Sequence, residues 1–275
     1  MTKNSFRYIL LAAMVAIFSC CSSKKDDRLA ESVDSRYPST NYTFDTTGHA
    51  NSRPDNPQFN NSYKLTLPDE GVAACADSIR MSIIASATDY KKGDLETARK
   101  MKINAMSSLD EEEEFEFREM FGSDETPWSF NCESECSFED GDVYVSLFKF
   151  SSYEGGAHGY HCARYDIWDK ANTKRITYHD IFVEDSEEKL SSMIVDSLCK
   201  IMKVNKPEGL TDAGILDIKE IHPNDNISVD TDFLTFNYAP YEIAAYAVGE
   251  LSVRFSFADI KNLMKEDSPI YKLAE

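Results

Sequence analysis

Two carboxylates, Glu154 and Glu242, are the side chains in this sequence best placed for acid–base work. Each sits in an irregular run: Tyr153-Glu154-Gly155-Gly156-Ala157-His158-Gly159-Tyr160, and Tyr238-Ala239-Pro240-Tyr241-Glu242-Ile243-Ala244-Ala245-Tyr246-Ala247-Val248-Gly249. If the runs met in space, the pair could hydrolyse a glycan through an acid and a base or nucleophile. Paired carboxylates are common, and the competing reading has Glu242 accepting backbone N–H bonds within its own bend. His158 and His161, with Cys162 and Glu154 close in sequence, are the nearest approach to a metal cluster. Zinc takes four ligands in fixed geometry, commonly from two paired spacings. His179 and His222 stand isolated in sequence and supply no second pair. No metal and no cofactor is therefore expected, and His158 reads as a hydrogen-bonded residue of the turn. The glycine run enters a strand instead of opening a helix, unlike a phosphate loop. No Gly-x-Ser-x-Gly elbow occurs, so a serine hydrolase of that type is unsupported.

Tyr238, Tyr241 and Tyr246 lie beside Pro240. Aromatic side chains make large, low-entropy contacts at interfaces. They can equally plug a sheet beneath the glycine turn, the reading favoured here, with their exposed remainder forming a groove. The candidate binding set is Glu154, Gly155, Gly156, His158, Tyr238, Tyr241, Glu242 and Tyr246, and no catalytic residue is assigned.

The runs that must position these bends are β-like. Three glycines in five residues mark a sharply bent backbone, because glycine reaches φ > 0 without a Cβ clash. Trp128 to Phe138 and Asp142 to Ser152 predict a hairpin closed at Glu139-Asp140-Gly141. Its second strand is apolar on both faces: Val143, Val145 and Leu147 on one, Tyr144, Phe148 and Phe150 on the other. Such a strand belongs in the middle of a covered sheet. Tyr160–Trp168 follows as a strand with Ala163, Tyr165 and Ile167 on one face. Ile227–Val229 pairs with Phe233–Tyr238, and 249–257 alternates, with Leu251, Val253, Phe255 and Phe257 inward.

Helical spacing begins at Val72 with Cys75, Ala76, Ile79 and Ile83, and again after a candidate N-cap at Asp94. Asp185 with Glu188 reads as a capping box for a helix whose stripe is Leu190, Met193, Ile194, Leu198, Ile201 and Met202. Short helices are expected over 211–219 and 258–265. The first strand is Tyr63–Leu67. Glu111-Glu112-Glu113-Glu114 reads as a solvated helix face, or less favourably as a hold for a cation. Strands and helices do not alternate strictly, so the expected class is α+β, an antiparallel sheet with helices packed on it.

The chain of 275 residues carries net charge −19. It opens with Lys3 and Arg7 and an apolar run from Ile9 to Phe18, a leader too short to span a bilayer. Ile17-Phe18-Ser19-Cys20 resembles a bacterial lipobox, with Phe18 bulkier than the usual residue. Cys20 would then be the lipidated N-terminus; an ordinary secretory cut near Ser19 is the alternative. Losing Lys3 and Arg7 takes the charge from −19 to −21. That surface repels nucleic acid and attracts a cationic partner.

Ser22-Ser23-Lys24-Lys25-Asp26-Asp27 resembles the export tag of Bacteroidetes surface lipoproteins, and a plain solvated tether is the other reading. The expected divisions are a leader 1–19, a flexible tether 20–57, a companion helix-and-strand region 58–127, a main domain 128–265 and a C-terminal tail 266–275. Five cysteines beyond Cys20 and Cys21 form no disulfide framework. Cys132 and Cys136 could bridge across a turn, but not along one strand, where four residues span about 13 Å.

Tyr153-x-Gly155-Gly156-Ala157-His158-Gly159, Tyr165-Asp166-Ile167, Asp180-Ile181-Phe182 and Tyr238-x-x-Tyr241-Glu242-Ile243-Ala244-x-Tyr246-Ala247-x-Gly249 together resemble the RsiV-like family, a domain of unknown function. The resemblance covers about 128–265, with 58–127 similar to the family's companion region. The family occurs in the extracytoplasmic part of an anti-sigma factor that binds lysozyme, and ahead of the catalytic domain of some peptidoglycan deacetylases. It carries no transferable catalytic residue.

The resemblance implies an envelope-facing binding domain. Taken with the lipobox, the export-tag resemblance and the acidic charge, the expectation is a non-catalytic lipoprotein anchored in the outer membrane and exposed at the cell surface, which captures a basic protein such as lysozyme or a peptidoglycan-related ligand. A cell-wall glycan hydrolase using Glu154 and Glu242, or a purely structural envelope lipoprotein, are the alternatives.

Overall fold

A computed structural model describes residues 37–49, 58–88, 94–106, 127–153 and 157–274. Glu154, Gly155, Gly156, Cys20 and the acidic run 111–114 lie outside the described residues. β1 (Ser39–His49) pairs antiparallel with β2 (Gln58–Pro68) along its whole length. The chain then forms α1 (Ala74–Thr88) and α2 (Leu95–Met106) and returns as β3 (Trp128–Asp140), parallel to β2. Parallel neighbours need a crossover connection, and the two helices lie in it. This parallel pair is the one departure from the expected antiparallel pattern among the described residues. Asp94 caps α2 as expected, its Oδ1 accepting the Thr97 N–H at 2.7 Å.

β3, β4 (Val143–Tyr153), β5 (Tyr160–Asp169) and β6 (Lys174–Ile176) continue antiparallel, giving a six-stranded sheet in sequence order. Gly141 turns the β3–β4 hairpin at φ +51°, the positive φ that such two-residue loops demand. After the short helix α3 (Tyr178–Ile181) and the long α4 (Glu187–Ile201), α5 (Gly209–Asp212) leads to a second sheet. That sheet is β7 (Ile227–Val229), β8 (Phe233–Tyr238) and β9 (Leu251–Ser256), followed by α6 (Phe257–Ile260).

β4 is doubly covered, as its two apolar faces require. Tyr144 and Phe148 join a cluster with Tyr63, Leu65, Ile79, Ile83 and Cys132. Val143 and Val145 join a larger one with Ile167, Leu190, Ile194, Leu198, Phe236 and Val253. The α+β class is the observed one. The companion region and the main domain share one continuous sheet through the β2–β3 pair.

Four readings need correction. Residues 39–49, read as part of a tether, form β1: their Thr-rich pattern gives weak periodicity, and pairing with β2 supplies the order that composition hides. The expected tail is packed, with Ser268 and Ile270 buried and Tyr271–Ala274 a 3-10 turn against the larger cluster. Asp185 does not cap α4; it sits inside a 3-10 turn, Glu184–Ser186, with Ser186 at the N-cap. A capping carboxylate is found one helix earlier: Asp180, the third residue of α3, accepts the Thr177 N–H at 3.0 Å and O–H at 2.9 Å. Ile201, placed on the buried stripe of α4, is 49% exposed at the helix end. Cys132 and Cys136 share β3, the one-strand arrangement along which they cannot bridge each other.

Candidate functional site

Both irregular runs connect antiparallel neighbouring strands, and between the strands of the first only residues 157–159 lie among the described residues. Loop one joins β4 to β5, and loop two, residues 239–250, joins β8 to β9. They come from different sheets and meet. The rings of His158 and Tyr246 stack with centroids 3.7 Å apart and planes 15° from parallel. The Tyr246 hydroxyl donates to the Gly159 carbonyl at 2.7 Å. His158 Nδ1 lies 3.0 Å from the same carbonyl, so Nδ1 carries the proton and Nε2 accepts from the Tyr241 hydroxyl at 3.3 Å. Tyr241 stands 5.5 Å from Tyr246, and His161 meets Tyr246 edge-on at 6.2 Å. His158, His161 and Tyr241 are exposed and Tyr246 half-buried, so the four rings make an open wall.

Local backbone needs fix this arrangement. A Cβ on Gly159 would stand 2.5 Å from the Ser152 carbonyl oxygen, a backbone atom that cannot move aside. Tyr241 is held at φ +70°, a left-handed conformation costly for a bulky residue and one that tends to be retained at functional positions. Loop two is nevertheless well anchored. Ile243 and Ala244 are buried in the larger cluster. Leu216 N–H donates to the Ile243 carbonyl at 2.9 Å, and Ala245 N–H to Gly214 at 2.8 Å. Glu242 closes the loop: Oε2 accepts the Ala239 N–H at 2.8 Å and Oε1 the Asn224 amide at 2.7 Å.

Loop two is tied to the first sheet and to α3 by Asn224-Asp225-Asn226, which motif reading passed over. Asn224 also donates to the Asn237 carbonyl at 2.9 Å. Asp225 accepts the Tyr178 N–H at 2.7 Å. The Asn226 amide receives the Tyr165 N–H at 2.8 Å and donates to the Ala163 carbonyl at 2.9 Å, imitating a peptide group along β5. Three adjacent side chains thus tie loop two, α3 and β5. A run of three short polar residues before a strand was the available signal, but nothing local tells their partners.

Of the expected set, the structure brings His158, Tyr241, Glu242 and Tyr246 together. Tyr238 is set apart: it is 2% exposed, in the core, with its hydroxyl donating to the His222 carbonyl at 2.8 Å. Burial, then Glu242, pushes that hydroxyl's pKa well up. Beside the wall, burial pushes the Cys162 thiol up to about 11, helped by Glu250 and Glu242. The thiol is therefore protonated near neutral pH and a poor nucleophile. Burial, then Cys162, then the same two carboxylates push Tyr160 to about 12. Two recesses lie elsewhere: one of about 470 Å³ against Asn41, Lys64, Glu133 and Lys149, and one of about 580 Å³ against Phe233, Phe257 and Leu273. The loop wall offers ring faces, imidazole edges and carboxylates to something that lies against it.

Fold and loops define a two-sheet α+β module with a paired-loop face. Residues 179–258, from α3 through β9 and including loop two, match the family described as "Protein of unknown function (DUF3298)". The RsiV-like resemblance of the motifs is consistent with that family. A crystal structure of a DUF3298 family member from Bacteroides fragilis NCTC 9343 is similar at TM-score 0.74 and 22% identity, covering 87% of this chain and 98% of that one. A DUF3298 family protein from Pseudomonas aeruginosa PAO1 is similar at TM-score 0.58 and 13% identity, covering 84% of this chain and 96% of that one. At these identities the likeness is one of fold. No curated protein matches the chain.

Proposed function

We propose that this chain is a lipid-anchored outer-membrane protein whose paired-loop face binds a basic protein, lysozyme being the sharpest case, without catalysing a reaction. The observation that carries the reading is the exposed wall of Tyr241, His158 and Tyr246 in a chain of net charge −19. Aromatic faces attract cations, and a strongly acidic surface steers a basic partner toward encounter. The non-catalytic reading is supported by Glu242, whose two oxygens are engaged within the loop, and by the protonated Cys162. The anchor reading is supported by Ile17-Phe18-Ser19-Cys20.

Calorimetric titration of lysozyme into the chain at low salt tests the binding. The expected result is association that weakens with salt and falls about tenfold in Tyr241→Ala; absence of heat at low salt overturns it. Cys20→Ser is expected to release the protein from the membrane fraction, and protease treatment of intact cells reports whether it faces outward.

A further inference from the structure

The two ends of the six-stranded sheet are finished differently. At one end β6 is three residues long, and the edge of β5 beyond it is closed by the Asn226 amide, bonded to Tyr165 and Ala163, and by Tyr246 on the Gly159 carbonyl. At the other end β1 runs for 11 residues with β2 on one side only. The partner strand shows which of its groups face outward. Thr66 turns both its N–H and its carbonyl to the Ser134 hydroxyl on the β3 side, each at 3.1 Å. Asn41, set opposite Thr66, therefore turns its own N–H and carbonyl away from β2, and alternation does the same at Thr43, Asp45 and Thr47. The Asp69 N–H, bonded to the Pro38 carbonyl at 2.8 Å, fixes the same parity from the strand's start. None of these outward groups meets a hydrogen-bond partner among the described residues.

Edge strands are normally blunted by lysine, proline, a bulge or shortness. Ser39–His49 has no lysine and no proline, its register with β2 is unbroken, and its one carboxylate is Asp45. A single negative charge in 11 residues does not select a basic strand; it suits a neutral strand of the same length, which another β1 supplies. About a two-fold axis through Phe44 every residue of β1 finds a partner. Asp45 then faces Thr43 of the second copy, so no like charges oppose. Phe44 faces Phe44 on the side where its ring is half-buried against Tyr63. Arg80 and Arg99, over the Tyr42 and Phe44 rings at 5.5 and 4.9 Å, set positive charge beside this edge of an otherwise acidic chain.

We propose that β1 pairs antiparallel with β1 of a second copy, joining two six-stranded sheets into a dimer that closes on itself. The loop wall stands at the far end of the strand order, so this pairing is independent of what the wall binds. Sedimentation of the full chain across a concentration series is expected to show a monomer–dimer equilibrium that tightens as salt screens the repulsion between two copies of charge −19. Thr43→Pro deletes an outward N–H and no bond to β2, and is expected to weaken the dimer about tenfold. Thr43→Lys sets an opposite charge across from Asp45 at both symmetric positions and should tighten the dimer about threefold, whereas Thr43→Asp sets like charges there and should loosen it about as much. Urea midpoints at dilutions where all variants are monomeric are expected to agree; should Thr43→Pro lower its own, the Lys and Asp variants decide.

A monomer at every concentration overturns the proposal, and so does a dimer that salt weakens. A dimer that Thr43→Pro leaves intact, or that Thr43→Lys and Thr43→Asp shift in the same direction, overturns it as well, because the contact then lies elsewhere or in another register.

Discussion

The two faces of β4 belong to differently built halves. Toward α1, Tyr144 and Phe148 close a cluster made by β2, β3 and the crossover helices. Toward the second sheet, Val143 and Val145 enter a cluster that also holds α4, β7–β9 and the C-terminal Ile270. That second cover reaches β3 only at Phe138; beyond it the corresponding face is polar and laced by Lys64–Glu133 and Lys149–Glu135 pairs at 3.0 and 3.1 Å. Loop two rides on the larger cluster through Ile243 and Ala244, while loop one hangs from strands both halves share. The site is thus a seam, and its geometry depends on one half more than the other.

The contrast breaks most visibly at Phe236, fully buried in the second sheet and stacked near Phe182 at 6.0 Å. Phe236→Ala is expected to destabilise by about 3–5 kcal/mol in urea unfolding. It should also disturb the His158–Tyr246 stack in NMR spectra. Leu65→Ala in the smaller cluster should cost a comparable 2–5 kcal/mol yet leave the stack's resonances in place. Perturbed loop resonances in Leu65→Ala would show that the halves are not separable.

A smaller effect is expected at the joint. Asn226→Ala leaves the Ala163 carbonyl and Tyr165 N–H without their partner, about 1–3 kcal/mol, and should raise amide exchange along β5. Smaller again is Asp180→Asn, about 1 kcal/mol. Partial burial opposes ionisation of Asp180, but bonds from Lys174 and Thr177 outweigh it and its pKa lies below 3.8. The folded state therefore binds this proton less readily than the unfolded chain. Its contribution is present above the unfolded pKa of 3.8 and is lost as pH falls through the lower folded value. An acid-unfolding midpoint unmoved by Asp180→Asn would contradict this. Least of all, Glu133→Gln on the exposed face should change stability by no more than about 0.5 kcal/mol, because its pair with Lys64 is open to solvent.

Much of the frame was legible. The double-sided apolar pattern of β4, the Asp140-Gly141 turn, the alternation of β9 and the cap at Asp94 all follow from neighbours one to four residues apart, and the structure has each of them. β1 was not legible, because a Thr-rich strand shows its half-buried face only once β2 lies beside it. The packed C-terminus was missed for the same reason: Ile270 is one apolar residue without a period until a groove receives it. Within the site, the motifs named His158, Tyr241 and Tyr246, but they also named Tyr238, which belongs to the core, and passed over Asn226.

By itself the sequence determined which stretches bend, which alternate and how acidic the surface is, since those properties reside in residue type and short-range spacing. Only the tertiary structure decided that the two bends touch, that Glu242 is occupied within its own loop, and that Tyr238 points inward. A side chain's partners here lie 60 to 90 positions away, as with Asn226 and Tyr165 or Tyr246 and Gly159, and a local pattern carries no record of what long-range packing will set against it.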